Sequence, residues 1–298
     1  MKKIINFFRR KKTEDIAAGI ETAPLSAGQL SNLMDAEANG HVVQIISGSA
    51  IDVGRRRENN EDALLSFNGM LAQNSTNQAF GFYAVADGMG GHKNGELASE
   101  NALRGLGDYV MSKLYHPLFG PNPKPPQKSL REIMEDGFNE AHKQVQRSAP
   151  GGGCTLTAAL VFGNQLVIAH LGDSRAYSVY KDGRIQALTS DHTLVNRLVE
   201  IGEITPEEAL VHPQKSVLIR ALGQGTHVEA DIFTSIMPQQ GYLLLCTDGL
   251  WGVISDKQIQ QIINSAPNPN KAAELLVEAA NQAGGPDNIS LILIQLIH

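Results

Sequence analysis

From His41 onward the chain alternates short apolar runs with turn residues. HVVQIISGSAIDV, FGFYAVA, TLTAALVF, QLVIAHL, RAYSVY, YLLLCT and ISLILIQL are apolar or alternating, rich in β-formers and bounded by turn residues, which predicts strands. In YSVYKDGRIQAL a two-residue Asp182-Gly183 turn between strand-like arms predicts a tight hairpin. Helical spacing marks ELASENALRGLGDYVMSKL, LREIMEDGFNEAHKQVQR, DKQIQQIINS and NKAAELLVEAANQA. The two long helices fall together, hairpin-linked strands follow, and a helical pair comes near the end. That order predicts an α+β class, antiparallel sheets covered by helices, and disfavours a doubly wound parallel sheet. The proline-rich HPLFGPNPKPPQK reads as a loop, and no internal repeat is visible.

The first 40 residues lack this pattern, so 1–40 are expected to form a low-order tail and 41–298 one domain. The tail opens with MKKIINFFRRKK, six basic residues around Ile4, Ile5, Phe7 and Phe8. Residues 1–12 could lie on an anionic membrane surface or dock a partner, the alternative being a solvated terminus. No apolar run reaches the roughly 18 residues of a membrane span. The start also lacks the longer apolar core of a secretory signal. The expected location is therefore cytoplasmic, membrane-peripheral contact through the tail being one of these alternatives. A net charge of -6 disfavours a general nucleic-acid binder. The only two cysteines, Cys154 and Cys246, are too few for a disulfide framework and read as small buried hydrophobes.

Candidate chemistry lies at strand ends. Asp87 follows FGFYAVA and precedes GMGG; Asp173 follows QLVIAHLG; Asp248 follows YLLLCT; Asp287 precedes the last strand; Glu61 and Asp62 close DVGRRRENNED. Each alone is ordinary turn chemistry. Five such ends scattered through the chain point to one oxygen-rich pocket. Clustered carboxylates repel one another unless cations neutralise them. Oxygen donors select Mg²⁺ or Mn²⁺ over Zn²⁺. Two such ions about 4 Å apart can activate water for in-line displacement at phosphorus, which is hydrolase chemistry.

RENNED, VADGMGGH, GCTLTAAL, LGDSR, SDHT, VLIRALG, CTDGLW and GPDNIS, in that order, resemble the motif series of the metal-dependent serine/threonine protein phosphatases of the PP2C (PPM) type, particularly bacterial members. The resemblance covers about residues 45–298. It implies an α-β-β-α sandwich, two antiparallel sheets flanked by helices, with a metal channel at one end. It matches Asp87 to the carboxylate bridging two Mn²⁺ or Mg²⁺ ions, with the Gly88 carbonyl beside it, and Asp248 and Asp287 to further ligands. It matches Asp62, with Glu61 as neighbour, to a residue holding the second ion through water. Asp173 resembles the ligand of a weaker third ion shared with Asp248. Arg57 matches the contact to the substrate phosphate, leaving Arg55 and Arg56 solvated or surface-paired. Asp191 reads as a helix N-cap before LVNRLVEIG, or as a residue near the channel.

The resemblance implies direct hydrolysis of phosphoserine and phosphothreonine without a phosphoenzyme. Implied partners are phosphorylated proteins and a Ser/Thr kinase, and the chain is expected to be a monomer. Met89 stands where many eukaryotic members carry a histidine thought to be the general acid, which leaves His92 or water as proton donor. Gly252 stands where relatives often have another aspartate. Residues 193–223 resemble a flap that shapes substrate choice. The rival reading is a non-catalytic phosphoprotein-binding module, and the intact Asp87, Asp248 and Asp287 argue against it.

Overall fold

The computed structural model describes residues 44–73, 76–90 and 93–297. The basic tail and His92 lie outside the described residues. The apolar runs form strands and the helical runs form helices. In chain order these are β1 (Gln44–Asp52), β2 (Asp62–Gln73), β3 (Thr76–Met89) and α1 (Lys93–Val110). A π-helical turn, Met111–Tyr115, joins α1 to the short α2 (His116–Phe119), and α3 (Leu130–Ser148) follows. Next come β4 (Gly153–Cys154), β5 (Leu156–Phe162), β6 (Gln165–Leu171), β7 (Arg175–Tyr180) and β8 (Ile185–Ala187). The C-terminal part comprises α4 (Leu194–Glu200), α5 (Pro206–Leu210), β9 (Asp231–Ile236), β10 (Gly241–Cys246), α6 (Asp248–Trp251), α7 (Asp256–Ser265), α8 (Pro269–Gln282) and β11 (Ile289–Ile297).

Strand alternation sets the layers. In β3, Phe82, Ala84 and Ala86 pack toward the helices while Tyr83 and Val85 pack toward the second sheet, and all five are buried. A strand buried on both faces belongs inside a stack, and three apolar layers result. Leu106 of α1 and Ile133 and Phe138 of α3 cover one sheet. Val85, Ile168, Leu243 and Ile292 fill the space between sheets. Ile259 and Leu276 cover Leu244 and Leu293 on the far side. One sheet runs β1-β11-β10-β7-β8 and the other β2-β3-β5-β6-β9, every pairing antiparallel. This is the α-β-β-α sandwich that the sequence predicts.

One local expectation needs correcting. The β7–β8 hairpin has a three-residue loop, Lys181 to Gly183, closed by Tyr180 N–H donating to Arg184 O at 2.8 Å. Gly183 takes a φ of 97°, the left-handed position that ends a three-residue hairpin loop.

Candidate active site

The five aspartates gather at one end of the sandwich. Asp62 opens β2, and antiparallel register sets it opposite Asp87 near the end of β3. Asp248 opens α6 just beyond β10, and Asp287 stands just before β11. Asp173 lies where the chain crosses from β6 in one sheet to β7 in the other. A cleft of about 580 Å³ opens there, lined by Arg57, Glu61, Asp87, Gly88, Asp173, Asp248 and Asp287. Asp62 is buried beneath it.

Polar side chains fix these positions. Asp87 N–H donates to Thr155 Oγ1 at 2.9 Å, and Thr155 N–H donates back to Asp87 O at 2.9 Å. Thr247 Oγ1 donates to Asp62 Oδ2 at 2.8 Å. Asn288 stitches the Arg57 loop to β11: its Oδ1 accepts from Glu61 N–H at 2.8 Å, and its Nδ2 donates to Val53 O and Asn59 O, both at 2.9 Å. Asp287 Oδ1 accepts from Asn288 N–H at 2.9 Å, and Oδ2 accepts from Arg57 Nη2 at 2.7 Å. Sequence reasoning missed Thr155, Thr247 and Asn288. Gly88 is required by close packing, since a Cβ there would stand 2.2 Å from Gly95 O.

Electrostatics set these groups against one another. Burial, followed by the Asp248 and Asp287 charges, pushes Asp62 up to about 7. Burial followed by Asp248 pushes Asp173 up to about 8, and burial followed by Asp287 pushes Asp248 up to about 6. Asp87 is also driven well above the usual carboxylate range by burial and then by Asp62. The hydrogen bond to Asp287 raises Arg57 further. Two buried oxygens, Asp62 Oδ1 and Asp248 Oδ1, have no hydrogen-bond partner, a costly arrangement that a bound cation would relieve. The described lining contains no histidine or cysteine, so the donor set fits hard ions. Among the described residues no three such groups close around a single point.

Arg55 and Arg56 are exposed, and Arg57 alone of the three lines the cleft. Met89 lines the cleft as well. Asp191 is not a helix cap: Thr193 caps α4, accepting from Asn196 N–H. Asp191 instead grips Arg175 in a bidentate pair at 2.8 and 2.7 Å, because a planar guanidinium matches a carboxylate better than a single backbone N–H does. The Arg175 guanidinium lies 3.5 Å from the centre of the Trp251 ring, and Trp251 Nε1 donates to Asp173 O at 3.1 Å. From residues 193–223, Ser216 and Leu218 to Ala221 line the cleft, and the segment is tied by bridges between Thr193 and Leu218 and between Cys154 and Leu222. Arg220 lines the cleft from this segment, and its Nη1 donates to Asp231 Oδ1 at 3.0 Å.

The family profile described as protein phosphatase 2C matches residues 46–218 and 221–289. The chain is 36% identical over 244 residues to a serine/threonine phosphatase stp of Listeria monocytogenes, covering 82% of this chain and 93% of that protein. It is 35% identical over 256 residues to protein phosphatase PhpP of Streptococcus pneumoniae, covering 82% and 95%. Among solved structures it resembles the Mycobacterium tuberculosis serine/threonine phosphatase PstP/Ppp, with a TM-score of 0.69, 34% identity, and coverage of 85% of this chain and 99% of that one. The catalytic domain of PstP in complex with two manganese ions matches with a TM-score of 0.68 and 31% identity, covering 86% and 100%. With this profile and these relatives aligned over its sandwich and its aspartate cleft, the chain belongs to the protein phosphatase 2C family and is a metal-dependent protein phosphatase.

Proposed function

We propose that the protein hydrolyses phosphoserine and phosphothreonine in proteins directly with water, using two Mn²⁺ or Mg²⁺ ions, and opposes a Ser/Thr kinase. The observation that carries this reading is the set of aspartates brought from both sheets to one cleft, with two buried carboxylate oxygens left without donors. Asp87, the Gly88 carbonyl, Asp248 and Asp287 would hold the ions, Asp62 acting from beneath through water and Asp173 serving a weaker third ion. When bound, such ions lower the pKa of water and neutralise charge on the phosphoryl oxygens. Arg57, half-exposed at the mouth, keeps one nitrogen on Asp287 and offers its remaining donors to the phosphate. The names of the Listeria and mycobacterial relatives support the serine/threonine substrate class, and the manganese complex of PstP supports the cofactor class.

The test is hydrolysis of a phosphothreonine peptide by the full chain with Mn²⁺, with Mg²⁺ and with chelator, beside Asp248→Asn. Turnover should need the metal and fall by about 100-fold or more in the variant. Equal rates in chelator, or an unimpaired variant, would contradict the assignment. The non-catalytic alternative has no observation in its favour.

A further inference from the structure

Behind Asp173, Asp248 and Asp287 the catalytic cleft adjoins a second cavity of about 580 Å³, set between α4, α5 and the α6 turn. The two share these three aspartates and Ser216 as a common wall. The cavity is apolar where Val195, Val199, Ala209 and Leu210 meet Trp251 and Val253. Its floor is fixed, because Trp251 is held against Arg175 and hydrogen-bonded to Asp173 O, and Arg175 is held by Asp191.

The segment 201–219, which supplies Leu210 to this cavity and Ile219 to the catalytic cleft, is unusual for a protein surface. Ile201, Leu210, Val211, Val217 and Ile219 are all exposed, Leu210 and Val211 to 73% and 82%. Exposed large apolar residues concentrated on one segment mark contact with another macromolecule. A small phosphoester held at the aspartates would leave them in water. A charged side chain entering the cavity would lose its hydration against Val199, Ala209 and Leu210, and Arg175 is already committed to Asp191. Lys215 in the same wall disfavours a basic residue, and the acidic part of the lining, Asp173, Asp248 and Asp287, is the part that the ions proposed above would neutralise.

We propose that this cavity is a subsite for one apolar side chain of the phosphoprotein substrate, close in sequence to the phosphorylated residue. The inference rests on the phosphoprotein hydrolysis proposed above. Adjacency of the two cavities points to the occupant: a chain whose phosphate sits at the aspartates brings its neighbouring residue to Ser216, which lines both, beside the space under α5. Leu210 and Ala209 are then specificity residues, acting on binding of the flanking chain and not on the reacting phosphorus.

The experiment walks a single leucine through the positions on either side of phosphothreonine in an otherwise serine-rich peptide, assayed with Mn²⁺. In the wild-type protein leucine at one position should lower KM about tenfold relative to the parent peptide, with little change in kcat. Ala209→Phe, which fills the cavity, and Leu210→Lys, which charges its rim, should bring the ratio of kcat/KM for the leucine and parent peptides close to one. Because each ratio is taken within one protein, a general loss of activity cancels. A wild-type enzyme indifferent to leucine at every position, or variants that keep the full preference, would overturn the subsite. A small aryl phosphate assayed alongside separates the two claims: its turnover with no leucine preference sinks the subsite alone, whereas no turnover of any phosphoester sinks the hydrolytic reading beneath it.

Discussion

At the scale of single residues, burial decides more than charge pairing does. His170 is fully buried, with Nδ1 2.9 Å from Thr157 Oγ1 and Nε2 3.2 Å from Ser190 O. The His192 ring lies 4.8 Å away. Burial, then His192, push the imidazole down from 6.5 to about 3. Between these values the unfolded chain takes up a proton that the native protein refuses, so stability falls as pH drops through this window. The slope from one such group is at most about 1.4 kcal/mol per pH unit. His170→Gln, which can keep both hydrogen bonds, should flatten the acid limb by close to one proton. Urea unfolding at stepped pH values measures it, and an unchanged slope would refute the assignment. Legibility at this scale followed locality. Asp87, Asp173, Asp248 and Asp287 were readable because each ends or precedes a strand next to glycine or asparagine. Thr155, Thr247 and Asn288 were not, because their partners stand far away in sequence, as Glu61 and Asn288 do, and no short-range pattern encodes such a bond.

At the scale of elements, strands inside the sheets read more plainly than two of the four edge strands. β5, β6, β10 and β11 lie inside their sheets, are buried almost throughout, and present continuous apolar runs. β2 and β9 are edge strands, and Ser66, Asn68 and Gly69 in one and Thr234 and Ser235 in the other interrupt the pattern. Neither is predicted from hydropathy, because an edge strand needs to bury less. The Asp182-Gly183 turn was located correctly but one residue short, since local composition does not fix which residue on either side pairs first. Loops around the cleft depend on Asn288, whose side chain makes three hydrogen bonds joining the segment from Val53 to Glu61 to the start of β11. Asn288→Ala leaves two carbonyls and an N–H without their partner, and should cost about 2–4 kcal/mol in chemical denaturation. A cost below about 1 kcal/mol would show that water replaces the stitch.

At the scale of the whole molecule, the proposed ion ligands come from both layers. Asp62 and Asp87 belong to the sheet built on β2 and β3, whereas Asp248 and Asp287 flank strands of the other. A bound ion therefore couples the two sheets, and any ligand that binds only the native state raises its stability. Mn²⁺ at a hundredfold excess over its Kd should add about 2.7 kcal/mol, seen as a higher Tm that chelator reverses. Asp248→Asn should blunt that rise, and a Tm indifferent to Mn²⁺ would argue against ion binding in the cleft. Among the described residues no helix is long and apolar enough to cross a membrane.

The seam between the sheets has a consequence for quality control. Neither sheet alone carries the full set of carboxylates proposed to hold the ions, and β1 pairs with β11, so early and late parts of the chain must meet before the cleft exists. A misassembled or clipped molecule with one sheet intact would retain half a centre and strip no phosphate from anything. Dephosphorylating power is thus tied to complete assembly, and a damaged copy falls silent instead of removing phosphate at random.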